Sequence, residues 1–157
     1  MKNKLISFLV IILLFGCNNT EKPHYDKVDI SGIWFIVTND SIYDEAIITK
    51  STYWAYSDAL GEIERDFKVE KDSFIFFNSN GHLLINYKFE WKDKNEFFIE
   101  NSFSRSDYYR LDISLDTTGL IRGGNDSLLD TYVSRFRERE MKWRNEHKYN
   151  YIIKESH

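Results

Sequence analysis

The chain has 157 residues, a formal net charge of −4 and an aromatic content of 17 %. This acidic balance argues against a nucleic-acid partner and against a polybasic membrane-binding patch. The length is that of one domain, and large aromatic side chains supply apolar area for a compact core. The single cysteine, Cys17, excludes a disulfide within the chain.

Residues 1–16 have the pattern of an export signal. Two lysines precede an apolar run at residues 5–15, which is too short to cross a ~30 Å hydrocarbon core as a helix. The run ends in Leu-Phe-Gly-Cys at residues 14–17, which resembles the lipobox of bacterial lipoproteins. That resemblance implies cleavage before Cys17, a lipid on its sulfur and acylation of the new amino group, for example with palmitate. An uncleaved N-terminal anchor and an ordinary secretory signal are the alternatives.

The lipoprotein resemblance also implies a location. We expect a lipid-anchored protein of the cell envelope, in the outer membrane of a Gram-negative bacterium. Residues 17–30 are polar, include the only proline, and are expected to form a short tether to a folded domain at residues 31–157. Loss of a leader that carries two lysines takes the net charge from −4 to −6.

Residues 31–112 consist of short runs of β-branched and aromatic residues separated by turn-forming residues. In the strongest run, Leu83, Ile85, Tyr87, Phe89 and Trp91 alternate with polar residues, which is typical of an antiparallel strand with one solvated face. Short, evenly spaced links favour a small eight-stranded up-and-down barrel, and with the helix predicted after it the fold class is all-β with one C-terminal helix. The predicted strands are 31–38, 43–49, 52–58, 62–70, 73–78, 82–91, 95–101 and 105–112.

The first predicted strand carries a short motif, Gly32-Ile33-Trp34. It resembles the opening motif of lipocalins and of the lipocalin-like lipoproteins of Gram-negative bacteria. In that family a basic residue near the end of the barrel packs over the tryptophan, and Arg110 is the matching candidate. The resemblance implies a small barrel followed by a helix. We expect Gly32, Trp34 and Arg110 to close one end of the barrel rather than to contact a ligand.

A loop at residues 113–125 and a helix at residues 128–148 are predicted to follow the strands. Apolar residues at helical spacing form one stripe, which we expect to dock on the outside of the barrel; a partner protein is the alternative occupant. The stripe is Leu129, Tyr132, Val133, Phe136 and Trp143. The solvated face is predicted to carry Arg135, Arg137, Glu138, Arg139, Glu140, Lys142 and Arg144.

The pattern of reactive residues points to no chemistry. The histidines are scattered without the spacing of metal ligands, and no nucleophile motif is present, so we expect no enzyme, no metal and no cofactor. Arg65 interrupts an inward apolar row, and a buried arginine needs a partner or an anionic ligand unless it reaches water at a barrel mouth. Arg65 and Tyr87 are therefore the candidate ligand contacts.

Two functions remain open from the sequence. The first is a non-enzymatic, membrane-anchored barrel that binds a small apolar or amphipathic ligand. The second is a protein-interaction module, such as an envelope assembly factor, an inhibitor or an immunity-type lipoprotein. A cavity on the order of a few hundred Å³ lined by Trp34, Arg65 and Tyr87 would favour the first. A solid interior with an exposed apolar patch elsewhere would favour the second.

Overall fold

The computed structural model describes residues 29–115, 117–121 and 126–147. They form a closed barrel of eight antiparallel strands, in which each strand pairs with the next and the last pairs with the first. This confirms the predicted fold class, and the strand ends differ from the predicted ones by no more than two residues. The strands are β1 (Gly32–Thr38), β2 (Ile42–Ile48), β3 (Thr52–Ser57), β4 (Gly61–Glu70), β5 (Ser73–Phe77), β6 (Leu83–Asp93), β7 (Glu96–Glu100) and β8 (Arg105–Arg110).

The strand connections define two ends of the barrel. Connections 39–41, 58–60, 78–82 and 101–104 lie together at one end, which we call the mouth. The chain enters β1 at the opposite end, which we call the base. Asn39 and Asp40 have φ values of 49° and 59°, which is the backbone of a tight hairpin turn. The up-and-down order therefore places the turns alternately at the mouth and at the base.

Aromatic rings fill the barrel interior from the base upward. Trp34, Phe74 and Phe97 have no exposed surface, and the ring centroids of Trp34 and Phe97 are 4.7 Å apart with the rings edge to face. Phe97 also stacks on Tyr108 with centroids 4.4 Å apart. Because such contacts leave little room, the part of the interior near the base is a packed core.

A helix, α1 (Asp126–Glu146), packs on the outer faces of β2 and β3. Trp54 meets Tyr132 with ring centroids 5.2 Å apart, and Tyr56 meets Phe136 at 4.9 Å. The predicted apolar stripe is therefore docked on the barrel. Tyr132, Phe136 and Trp143 are buried, and Leu129 and Val133 are partly buried.

A buried carboxylate, that of Glu45, lies between α1 and β2 with no exposed surface. Arg139 Nε and Nη2 donate to its two oxygens at 2.7 and 2.8 Å. The hydroxyls of Tyr43 and Tyr132 donate to the same oxygens at 2.7 and 2.8 Å. A buried charge is tolerated only when it is paired and hydrogen-bonded, and these four donors meet that condition.

Two residues of the predicted solvated face lie elsewhere, so that prediction was wrong for them. The Arg139 side chain is only 21 % exposed because it turns under the helix to reach Glu45. Glu140 is buried and accepts hydrogen bonds from Arg144 Nε and Nη2 at 3.1 and 2.5 Å. Charged residues on a helix are normally solvated, and Arg139 departs from this rule because it pairs with the Glu45 carboxylate below the helix.

Several parts of the predicted organisation lie outside the described residues. These are the leader 1–16, Cys17 with the tether as far as residue 28, residues 116 and 122–125 of the loop, and the chain from residue 148 onward. Within the described ranges, no helix combines the length and the apolar character needed to span a bilayer.

We expect Glu45→Gln to lower the free energy of unfolding by about 2–4 kcal/mol, because Arg139 would lose the charge that compensates its burial. The control is Glu70→Gln, which removes an exposed pair with Lys68 and should cost less than about 0.5 kcal/mol. Urea unfolding of both variants measures the difference. Equal losses in the two variants would contradict the role given to Glu45.

Candidate ligand site at the barrel mouth

A cavity of about 160 Å³ lies between the aromatic core and the mouth. It reaches the surface beside Leu60, whose side chain lines the cavity and is itself 73 % exposed. Packed aromatic rings fill the barrel interior between the cavity and the base. Its apolar lining is Ile36, Ala55, Leu60, Ile63, Phe76 and Ile99.

Two pairs of hydroxyl groups line the same cavity. The Tyr53 and Tyr108 hydroxyls lie 3.0 Å apart, and Thr38 Oγ1 lies 2.8 Å from Ser106 Oγ. Burial raises the pKa of both tyrosines, so they stay neutral at physiological pH. Each hydroxyl pair uses one proton internally and keeps lone pairs that can accept a hydrogen bond from a ligand.

Among the described residues that line the cavity, Asp44 is the only charged one. Strand alternation points it inward, whereas its neighbour Glu45 points outward under α1. Its Oδ1 atom is buried and has no hydrogen-bond partner among the described residues. Burial, and then the charge of Glu140, raise the pKa of Asp44 to about 6, while a hydrogen bond with Ser57 acts in the opposite direction. At neutral pH the cavity therefore holds a mostly ionised carboxylate with one unsatisfied oxygen.

The residues of the predicted closure motif meet at the base, away from this cavity. The Arg110 guanidinium carbon lies 4.0 Å from the ring centroid of Trp34, and Arg110 Nη1 donates to the Ser31 carbonyl at 2.6 Å. Trp34 Nε1 donates to the Ile30 carbonyl at 2.9 Å. Gly32 has a φ of 143°, and a Cβ at this position would overlap Arg110 Nη1. Only glycine allows the guanidinium to lie this close to the backbone.

The two candidate ligand contacts occupy different places. Tyr87 lines the mouth cavity. Arg65 is exposed, donates from Nη1 to the Glu64 carbonyl at 2.7 Å, and lies in a separate surface cleft between β4 and the connection that follows β5. Neither Arg65 nor Trp34 lines the cavity. Its volume of about 160 Å³ is also smaller than the few hundred Å³ that the sequence led us to consider.

Sequence reasoning missed Asp44, although a signal for it exists. Asp44 interrupts the inward row formed by Ile42, Ala46 and Ile48 in the same way that Arg65 interrupts its own row. The two residues have different surroundings: Arg65 is exposed beside a surface cleft, whereas Asp44 lines the mouth cavity and its Oδ1 atom is buried. Strand pairing does not separate them, because Arg65 pairs only with Tyr53 of β3 and Asp44 pairs only with Ile36 of β1.

We expect Asp44→Asn to stabilise the protein at pH 7.5 by about 1–2 kcal/mol, discounted for partial exposure of the site. The folded-state pKa is raised, so stability is lost as pH rises from the ordinary aspartate value towards about 6. The gain of the variant should accordingly shrink towards zero as the pH falls from 7.5 to 4. Thermal unfolding across this range checks it, and a gain that does not depend on pH would count against the burial argument.

Comparison with known proteins returned no relative. No protein family matches the chain, and neither a curated protein nor a solved structure shows significant similarity to it. The closed barrel, the cavity and the residues that line it are therefore the basis on which a function is argued.

Proposed function

We propose that this protein is a lipid-anchored, non-enzymatic β-barrel of the cell envelope. It binds one end of a small amphipathic molecule in the cavity at its mouth. The single observation that carries the proposal is this cavity, which combines apolar walls with a few convergent polar groups. A closed eight-stranded barrel whose interior holds a single small ligand is a known use of the architecture.

The size of the cavity limits how much of a ligand it encloses. At about 160 Å³ it is smaller than the ~300–1,000 Å³ typical of sites for drug-sized molecules. The rest of the ligand would lie on the apolar rim, which we define as the large exposed apolar side chains in or next to the four mouth connections. The rim consists of Ile42, Leu60, Leu83, Leu84 and Phe103.

The lipid anchor fits this orientation. Asp29 and Ile30 lead into β1 at the base, so a tether from Cys17 would join the barrel at the end opposite the mouth. A short tether of polar residues between Cys17 and the barrel would leave the mouth accessible.

A protein partner at the mouth is the second candidate, and the apolar rim is the observation that favours it. Phe103 is 89 % exposed and Leu60 is 73 % exposed. Several exposed apolar side chains at one end of a protein are typical of a surface that a partner covers. A partner that covered the rim without entering the cavity would bind equally well when the cavity is blocked. Blocking the cavity therefore separates the two candidates.

We expect 1-butanol to bind the full chain in lipid nanodiscs with a dissociation constant on the order of 1–10 mM, because each buried CH₂ contributes ~0.8 kcal/mol. Ala55→Leu and Ile99→Phe each place extra atoms in the cavity and should abolish the binding. Isothermal titration calorimetry, with empty nanodiscs as the blank, measures it.

The matched control is Asp66→Leu, which adds an apolar side chain on the exposed outer face of β4 and should bind 1-butanol as the unmodified chain does. If the unmodified chain shows no binding, the small-ligand proposal fails and the protein-partner candidate takes its place. Binding that survives both blocking variants would place the ligand somewhere other than in the mouth cavity.

The anchor has its own test, which is metabolic labelling with palmitate in a Gram-negative host. We expect the full chain to incorporate label and to lose residues 1–16, because the lipobox resemblance implies both steps. Cys17→Ser should abolish incorporation, whereas Asn19→Ser should not. Intact-mass measurement of the extracted protein reports both steps, and an uncleaved, unlabelled chain would refute the lipoprotein assignment.

A further inference from the structure

We propose that the mouth cavity selects amphipathic molecules that carry a protonated amine, with Asp44 Oδ1 as the acceptor of an ammonium N–H. This inference rests on the proposed function, because it names the chemistry of the end that enters the cavity. It concerns primary amines with a short apolar chain, rather than fatty acids or other anionic amphiphiles.

The two neighbouring carboxylates of β2 carry the argument. Glu45 is fully buried, and four donors from Tyr43, Tyr132 and Arg139 satisfy both of its oxygens. Asp44 is the next residue, yet its buried Oδ1 has no partner among the described residues. An unsatisfied buried carboxylate oxygen costs free energy, and a ligand that donates to it removes that cost.

The charge of the cavity lining indicates the sign of the charge on the ligand. In the part of the chain that the structure describes, Asp44 is the single charged residue that lines the cavity, and no Lys, Arg or His lines it. A carboxylate or phosphate in the same space would meet a like charge with no cation to offset it. An ammonium group instead forms a charge-assisted hydrogen bond, which is about twice as strong as a neutral one.

The remaining polar groups suit the other protons of an ammonium. A primary ammonium has three donors and no acceptor, so it needs acceptors around it. The hydroxyl pairs of Tyr53 with Tyr108 and of Thr38 with Ser106 line the same cavity and offer lone pairs. Phe76 and Tyr87 also line the cavity, and an ammonium over the face of either ring would gain a cation–π contribution.

A metal ion fits the cavity less well than an ammonium. Calcium takes six to eight oxygen ligands and magnesium needs near-ideal octahedral coordination, usually with carboxylates in the set. Over the ranges that the structure describes, no three His, Asp or Glu side chains come together as ligands for a metal ion. The polar groups that line the cavity with Asp44 are neutral hydroxyls instead of further carboxylates.

Affinity for an amine should depend on pH through Asp44. The groups that act on its charge are Glu140 of α1, which raises its pKa, and the Ser57 hydroxyl, which lowers it. The neighbouring Tyr53 and Tyr108 are neutral. Since only the ionised carboxylate pairs with an ammonium, binding should weaken as the pH falls below about 6.

The experiment is calorimetric titration of the full chain in zwitterionic nanodiscs with three probes of matched shape: butylamine, 1-butanol and butyrate. At pH 7.5 butylamine should bind about tenfold more tightly than 1-butanol, as a charge-assisted hydrogen bond predicts, and butyrate should not bind measurably. At pH 5 the butylamine affinity should fall about tenfold, because most of Asp44 is protonated.

Two variants decide the origin of the preference. Asp44→Asn should reduce butylamine to the affinity of 1-butanol or below it, because an unpaired ammonium is costly to bury, and should remove the pH dependence. Asp58→Asn should change neither, because it removes the same charge at the mouth from an exposed side chain paired with Arg137 outside the cavity lining. If 1-butanol binds and butylamine binds no better, the amine inference is overturned and the proposed function stands. If neither probe binds, both fail.

Discussion

Glu45 lies on the outer face of β2, where a buried carboxylate is stable only if charge and hydrogen bonds compensate it. Arg139 supplies the charge, and two tyrosines, one from the strand and one from the helix, supply the rest. The interaction fixes α1 against the barrel in one register, because a shift of the helix by one residue would leave both charges unpaired. The helix in turn covers the apolar outer faces of β2 and β3, which a closed barrel cannot bury by itself.

The same strand connects this structural interaction to the candidate site. Because side chains alternate along β2, the residue beside Glu45 has to point into the barrel, and that residue is Asp44. One carboxylate is satisfied on the outside, and the next is left with a free oxygen on the inside. The cavity is confined to the mouth because the aromatic rings of Trp34, Phe74 and Phe97 fill the interior near the base. Among the described residues, the fold thus brings one negative charge, hydroxyl groups and apolar walls together in the cavity at the mouth.

The strands, their order and the docked helix were predictable because they depend on local alternation and spacing. The Trp34–Arg110 contact was proposed from a short motif, and the two residues do meet at the base. The pairing of Glu45 with Arg139 was not predictable, since it joins residues far apart in the chain and contradicts the rule that charged helix residues are solvated. Arg65 and Asp44 carried the same signal, an inward charge in an apolar row. What separates them is the packing of side chains from distant strands at the mouth, which buries the Asp44 Oδ1 atom and leaves Arg65 exposed.

The pKa of Asp44 with and without an amine tests the central claim most directly, namely that this carboxylate is kept unpaired for a cationic ligand. It is measured on the full chain by ¹³C NMR of the side-chain carboxyl. The Asp44 signal is assigned as the one that is missing from the spectrum of Asp44→Asn. The account predicts a pKa of about 6 for the free protein and a clearly lower pKa in saturating butylamine, because the ammonium stabilises the ionised form. A pKa that is the same in both conditions, with butylamine bound, would contradict it.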